Sequence, residues 1–406
     1  MARIYKYMMA AAVLGIACNV AAAKDLEKDD IDYRRSSLYS LLVTHTEQKF
    51  SLEITEEYLK LPTPDKYNDM NLSVRVLSVN SKGDYDSRIA SFLDREQVAS
   101  RLVAKWFNRD ILTGKCDMEL VKERGLYNAS EFDKELAARS ARGTAMLEDA
   151  GEDLIGNTFV LVNEINYIDK GQRSRNWGLA LQMLGAVAGA ATGVDDFNDL
   201  GNSLNDMVST IKGFRVKINT RLYQLVWDDE VAYDFYKNYY QTEPDAEAAK
   251  AFEAARGKYK LKFVGEVSSS GQKSSFLGIS EEEPELMIRK ACQRALDENV
   301  ADLQKKYEQF KIKAPIVSVD PAIKVEIGLK EGITEESRFE VLEAQEKDGR
   351  VVYKRVGTVR PVKGKIWDNR FMAVEEQAYG ADFGATTFKK ESGGDFYPGL
   401  LIREIK

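Results

Sequence analysis

The sequence predicts an α/β domain, a mixed sheet flanked by helices and interrupted by a helical-hairpin insertion, followed by a small antiparallel β-barrel. Three observations predict this fold class. Strands and amphipathic helices alternate over residues 72–314. From Pro315 onward the chain consists of short strands separated by glycine-containing turns. Within the first part, residues 177–194 carry no charge, although the surrounding sequence is polar.

Composition and charge indicate an ordinary globular protein. The chain has 406 residues, of which 44% are hydrophobic and 30% charged, and its formal net charge is −7. An acidic balance without a basic run argues against a nucleic-acid partner. The length exceeds what a single hydrophobic core usually fills, so we expect two domains.

Residues 1–23 have the pattern of a secretory signal peptide. Arg3 and Lys6 precede a short apolar run, and the alanines at 21–23 provide a cleavage site before Lys24. We therefore expect an exported protein in the periplasm, or on the periplasmic face of the outer membrane, of a Gram-negative bacterium. An extracellular location is the alternative.

Cys18 provides a rival processing site. A cysteine at the end of an apolar run can become the lipid-modified first residue of a bacterial lipoprotein, but Gly15 stands where such motifs usually have leucine. Lipidation of Cys18 and removal of Cys18 with the signal peptide are both left open.

The elements of the α/β domain follow an N-terminal extension over residues 24–71. A strand is predicted from Leu72, and a helix is predicted to begin near Asp94. Its apolar face is Val98, Leu102 and Trp106. A second long helix is predicted after Ser130.

Two strands and one more helix complete the α/β domain. Residues 157–169 are mostly apolar and predict a central strand, whereas residues 213–230 alternate between an apolar and a polar face. The helix after residue 283 has a core stripe that includes Cys292. Residues 315–406 are predicted to form the β-barrel domain.

The uncharged segment belongs to an insertion over residues 170–213. Gly185, Gly189 and Gly193 recur every four residues, so they share one helix face that lets another backbone approach closely. A second amphipathic helix follows, and the two predict a hairpin. One interpretation packs this hairpin on the sheet. The other gives it a role in self-association or in shallow contact with a membrane.

No catalytic, metal-binding or cofactor-binding motif is found in the sequence. Nucleophile elbows, phosphate-binding loops and metal-ligand pairs are absent. The single histidine, His45, lies in an alternating stretch and is predicted to be a strand residue. Cys116 and Cys292 are predicted to be buried free thiols, with a disulfide as the alternative. No cofactor is expected.

One aromatic cluster is a candidate contact surface. It contains Phe235, Tyr236, Tyr239 and Tyr240. Tyrosines of this kind suit protein recognition when they are exposed. The alternative is that these rings belong to a helix that covers the sheet.

The order of elements resembles the periplasmic α/β domain of the curli-secretion lipoprotein (CsgG-like) family and the flagellar assembly protein FlgT-like family. The resemblance lies in "MELVKERGLY", in "TFVLVNEINYID" with "GFRVKINTRLYQLVWDDE", and in "MIRKACQRALDENVADL". The tail from "VEIGLKEGI" is similar to the small barrel that ends FlgT-type proteins. Residues 170–213 stand where the curli channel has a transmembrane hairpin, but they read as helix, so the resemblance does not imply a pore.

These observations lead to one functional expectation and two alternatives. We expect a non-enzymatic assembly, scaffold or secretion-accessory component of the cell envelope that acts through protein–protein contacts. Its expected partners are other envelope proteins, with self-association and peripheral membrane contact as further options. The alternatives are a carbohydrate- or peptidoglycan-binding module and a carboxylate-based hydrolase.

Overall fold

The computed structural model describes most of the chain in ten ranges. They are residues 36–48, 51–64, 66–79, 85–128, 154–169, 214–269, 284–311, 313–347, 350–371 and 384–405. Several sequence predictions lie outside the described residues. These are the signal segment with Cys18, the helix after Ser130, and the insertion with Gly185, Gly189 and Gly193.

The first sheet is mixed, and its strands are β1 (Ser36–His45), β2 (Tyr67–Asp69), β3 (Val76–Val79), β4 (Thr158–Asp169), β5 (Phe214–Leu225) and β6 (Leu261–Ser268). β1 pairs in parallel with β2 and β3 on one side and with β4 on the other. β4, β5 and β6 continue the sheet as antiparallel neighbours. The predicted central position of β4 is confirmed.

Two sequence predictions near the N-terminus are wrong. Residues 24–71 were expected to precede the domain, but β1 is an interior strand of the sheet and is buried on both faces. The alternating stretch around His45 did predict a strand, but the place of β1 inside the sheet depends on its pairing with β2, β3 and β4, which a local pattern does not show. The strand expected from Leu72 begins only at Val76.

Among the described residues, five helices cover one face of this sheet. They are α2 (Tyr85–Arg95), α3 (Val98–Trp106), α4 (Glu119–Asn128), α5 (Asp229–Asn238) and α6 (Ala246–Ala255). The predicted face of α3 is buried, and the Trp106 indole Nε1 donates to Thr158 Oγ1 at 2.8 Å. Asp94 does not begin this helix, because it lies within α2 and the left-handed Gln97 separates the two.

On the opposite face of the sheet, the described part of the chain places two helices, α1 (Ser51–Leu59) and the long α7 (Pro284–Lys306). The predicted core stripe of α7 is confirmed, since Cys292, Ala295, Asn299 and Leu303 are fully buried. Cys116 and Cys292 are both buried free thiols. Burial raises the pKa of Cys292 to about 12, so this sulfur stays protonated at neutral pH.

The second sheet contains six antiparallel strands, β7 (Lys313–Ser318), β8 (Ile323–Val325), β9 (Phe339–Lys347), β10 (Arg350–Pro361), β11 (Thr386–Gly393) and β12 (Leu401–Glu404). Each strand pairs with two others, so the sheet closes on itself as a barrel around its own core. A mixed sheet followed by a separate antiparallel one is what the sequence predicted. None of the helices in the described ranges has the length and apolar character needed to cross a membrane.

Helix α7 connects the two sheets. The guanidinium of Arg294 donates to the carbonyl oxygen of Phe371 at 2.9 and 3.2 Å. Near its C-terminal end, the Lys305 ammonium donates to the carbonyl oxygen of Gly332. Because α7 is also packed on the first sheet, these bonds fix the second sheet against the first.

Strand β6 is the outermost of the described strands on this side of the first sheet, and Tyr307 covers part of it. The backbone N–H of Glu266 donates to the Tyr307 hydroxyl at 3.1 Å, and Lys306 Nζ donates to the Glu266 carbonyl at 3.0 Å. Gly265 makes this approach feasible, because a Cβ at that position would collide with the Tyr307 ring.

The contact between α1 and α7 is predicted to lose stability at acid pH. Glu57 is buried and accepts hydrogen bonds from Arg289 and Lys60, and the bond from Arg289 is the main reason that its pKa is lowered. A lowered pKa contributes stability that is present above the ordinary value of 4.5 and is lost as pH falls below it. We expect Glu57→Gln to cost about 1.5–3 kcal/mol at neutral pH and to lose less stability on acidification than the wild type.

Urea unfolding at pH 7 and at several values below 4.5 measures both effects. Glu247→Gln is the matched control, because Glu247 pairs with Lys250 in solvent. Equal acid dependence in the wild type and Glu57→Gln would contradict the prediction.

Candidate functional site

The first candidate site lies where the chain reverses direction across the sheet. After β1, the chain forms β2 and β3 on one side and then returns to form β4 on the other side. Ligands of α/β sheets commonly bind at the carboxyl ends of strands at such a switch point. His45 is the last residue of β1, and its Nε2 lies 3.1 Å from Glu164 Oε1 on β4.

His45 and Glu164 belong to a row of polar side chains that continues across the sheet, which we call the His45 row. Asn219 Nδ2 donates to Glu164 Oε2 at 3.0 Å, and Ser268 Oγ donates to Asn219 Oδ1 at 2.8 Å. Glu164, Asn219 and Ser268 are directly paired residues of β4, β5 and β6, so they share one face.

A second row lies one residue away, on the opposite face beneath α1 and α7, and we call it the Asn163 row. Asn163 Nδ2 donates to Ser40 Oγ at 3.1 Å and to the Tyr58 hydroxyl at 3.2 Å. Thr220 Oγ1 donates to Asn163 Oδ1 at 2.8 Å, and Asn299 Nδ2 donates to Thr220 Oγ1, also at 2.8 Å. The row joins three strands to both helices.

A small cavity of about 40 Å³ adjoins the Asn163 row. Tyr58, Asn71, Gln293 and Asp297 line it together with apolar side chains. Gln293 donates to Asp297 Oδ1 at 2.9 Å. A volume of this size holds a few water molecules, so the cavity suits ordered solvent better than a metabolite.

The chemistry of the two rows is limited. Among the described residues, no group of three His, Cys, Asp or Glu side chains is placed to hold a metal ion. One Glu164 oxygen contacts His45, and the other accepts a bond from Asn219, which in turn accepts a bond from Ser268. Such a chain of hydrogen bonds orients side chains and specifies strand register, and it accounts for both rows as structural networks.

A different kind of candidate site is an apolar projection formed by the turn at residues 110–114. Ile111 and Leu112 expose 71% and 83% of their surfaces. The Asp110 carboxylate holds the turn, because its Oδ1 accepts bonds from the backbone N–H groups of Leu112 and Thr113 and from the Thr113 hydroxyl, at 2.7–2.9 Å. These bonds, led by the one from the Thr113 backbone, lower the pKa of Asp110.

The projection is also fixed to helix α6. The Asp245 N–H donates to the Thr113 carbonyl at 2.7 Å. Gly114 has a φ of 71°, and a Cβ there would lie 3.0 Å from backbone atoms of Asp245 and Ala249, so only glycine suits this close approach. Two aliphatic side chains are thus held in solvent on a rigid support.

The aromatic cluster predicted as a contact surface has a different role. Phe235 is completely buried and Tyr239 is 6% exposed, while Tyr236 and Tyr240 are partly buried against the same core. Phe235 packs 4.4 Å from the ring of Phe107. The contact-surface interpretation is therefore wrong for Phe235 and Tyr239, and the alternative, a helix that covers the sheet, describes them.

The carbohydrate-binding alternative would be favoured if exposed aromatic rings of the C-terminal domain lined one groove. Tyr353 lies beneath the Lys313 ammonium, and the Tyr397 hydroxyl donates to Glu343 at 2.8 Å. Both rings are more than one-third exposed. These contacts do not place the two rings in one groove, so sugar binding stays a prediction.

Comparison with known proteins adds no assignment. No protein-family model matches the chain, and no curated protein matches it.

The prediction that His45 is a strand residue is confirmed. The sequence analysis did not identify the two polar rows. Their signal was visible in "FVLVNEINY", where Asn163 and Glu164 interrupt a strand that is otherwise apolar. A polar residue inside a buried strand requires a partner. The partners come from residues more than 50 positions away, so pairing register was needed to find them.

We predict that Asn163→Leu lowers the free energy of unfolding by about 1–3 kcal/mol, because it leaves buried hydroxyls on β5 and α1 without their amide partner. Denaturant unfolding measures the change. Asn238→Leu, on the exposed end of α5, is the control and should change stability by no more than about 0.5 kcal/mol. Equal effects of the two substitutions would contradict the structural role of the Asn163 row.

Proposed function

We propose that the protein is an exported component of the cell envelope that acts without catalysis, in assembly, scaffolding or secretion, through protein–protein contacts. Its proposed location is the periplasm or the periplasmic face of the outer membrane of a Gram-negative bacterium. The signal-peptide pattern of residues 1–23 supports export. The resemblance to the CsgG-like and FlgT-like families is part of the same proposal.

The observation that carries the proposal is the rigid projection of Ile111 and Leu112. A single exposed aliphatic residue needs no explanation, but two adjacent ones on a preorganised turn form a ready contact. Rigid presentation lowers the entropy cost of binding, because the turn is already ordered before a partner arrives. The bonds of Asp110 and the close approach at Gly114 provide this order.

Site-specific photo-crosslinking in the native cells tests the proposal. A photoreactive residue at position 112 should give discrete high-mass products in the envelope fraction. Tyr233, which is 65% exposed on α5, is the matched control position and should give few. The proposal is contradicted if position 112 gives no more products than position 233, or if the protein is found in the cytosol.

One observation favours the hydrolase alternative. Glu336 and Glu404 both line a cavity of about 240 Å³ where α7 meets the second sheet, together with Lys305 and Lys311. Burial raises the pKa of Glu404, as a general acid requires, and Ser337 Oγ donates to its Oε1 at 2.9 Å.

Incubation with peptidoglycan and with nitrophenyl glycosides separates the two proposals. The assembly proposal expects no product. Hydrolysis that falls at least about 100-fold in Glu404→Gln, with the fold intact by circular dichroism, would support the hydrolase instead.

A further inference from the structure

A second small cavity adjoins the one beside the Asn163 row. The first has a volume of about 40 Å³ and the second a volume of about 20 Å³. Pro64, Asp297 and Val300 line both of them, so the two cavities form one slot along helix α7. The slot begins at Tyr58 of α1 and ends at Glu331, in the segment that leads into the second sheet. It therefore extends from the interior of the first sheet to the junction between the two sheets.

One side chain in the wall of this slot has an acceptor atom without a partner. Gln293 lies on α7 and is 5% exposed. Its Nε2 donates to Asp297 Oδ1 at 2.9 Å, and because a carboxylate only accepts, this bond fixes which end of the amide is the oxygen. That oxygen, Oε1, accepts no hydrogen bond from any described residue. Buried polar atoms almost always have a partner, so the donor has to come from a molecule held in the slot.

The hydroxyl groups in the wall have the opposite need. Tyr58 and Ser40 place their hydroxyl oxygens 2.6 Å apart, and both accept a bond from Asn163 Nδ2. Only one hydroxyl hydrogen lies between the two oxygens, so the hydrogen of the other hydroxyl points elsewhere. Among the described residues, no further acceptor bonds to either hydroxyl. The slot thus requires a molecule that accepts at one end and donates at the other.

The volume and the charge of the slot restrict this molecule. A water molecule needs about 10–15 Å³ of such volume, so the first cavity holds about three and the second one or two. The charged residues balance in both cavities. They are Arg75 against Asp297 in the first, and Lys66 and Lys330 against Asp297 and Glu331 in the second. An ion of either sign gains nothing from such a balance, whereas a neutral donor and acceptor of this size fits.

We propose that a chain of ordered water molecules binds in this slot, donates to Gln293 Oε1 and accepts from the hydroxyl pair of Tyr58 and Ser40. The chain extends the Asn163 row along α7. At its far end it reaches Gln304, whose amide donates to the Tyr67 hydroxyl. Water-mediated bonds of this kind hold two protein groups nearly as well as direct ones. The contact of α7 with β2 and with the second sheet is therefore partly made through solvent.

High-resolution crystal structures of the full mature chain test the proposal. In the wild type, a water lies within about 3.2 Å of Gln293 Oε1. Gln293→Met keeps the length of the side chain, removes the acceptor and loses this water. Val300→Ile leaves Gln293 intact but adds a methyl group where the two cavities meet, and it expels at least one water. Gln309→Met, at an exposed position after α7, is the matched control and changes no water in the slot.

Oxygen-17 magnetic relaxation dispersion provides the same comparison in solution, because it counts the water molecules that a folded protein retains. The count falls by at least one in Gln293→Met and in Val300→Ile, and it is unchanged in the control. If Gln293→Met does not fold, Val300→Ile decides. Equal counts in the wild type and the folded slot variants would overturn the proposal. A wild-type slot without density for water, or one that holds a metal ion, would do so as well.

Discussion

The side-chain amide of Asn163 is the interaction on which the arrangement of the first sheet depends. It bonds to β1, to α1 and to β5, and through Thr220 it reaches α7. Asn163, Tyr58, Thr220 and Asn299 are buried, so an incorrect strand register would leave them without partners. The network therefore selects one register among the many that apolar contacts alone would allow. Helix α7 is positioned by this selection, and it positions the second sheet through Arg294 and Lys305.

The two faces of the sheet have different roles. The α7 face is a structural interior, in which Cys292 and Asn299 are fully buried. The opposite face supports the projection at residues 110–114, which is open to solvent. The projection is attached to α6, and α6 is fixed by Phe252, which packs in the aromatic core and lies beneath the Arg109 guanidinium. The rigidity of the surface thus comes from the aromatic core beneath it.

The sequence was informative where a local pattern decides the structure. The apolar face of α3, the stripe of α7, the central strand β4 and the change to short strands near residue 314 follow from periodicity and turn residues. Strand β1 was assigned to an extension, although a strand was predicted at His45, because its interior place in the sheet depends on pairing with strands far away in sequence. The exposure of the cluster around Phe235 was misjudged, because an aromatic helix has the same sequence pattern whether its rings are exposed or buried. The polar rows and the projection depend on residues far apart in sequence, which local patterns do not bring together.

The cover that Tyr307 places on β6 limits how copies of this protein can combine. An open edge strand invites another chain to extend the sheet by backbone pairing, which is the first step toward fibrous aggregates. At Glu266 the N–H and the carbonyl are already engaged by Tyr307 and Lys306, and the register shift between Leu222 and Tyr223 distorts the pairing beside them. An uninterrupted added strand therefore cannot form along β6, and contacts at this edge are restricted to side chains.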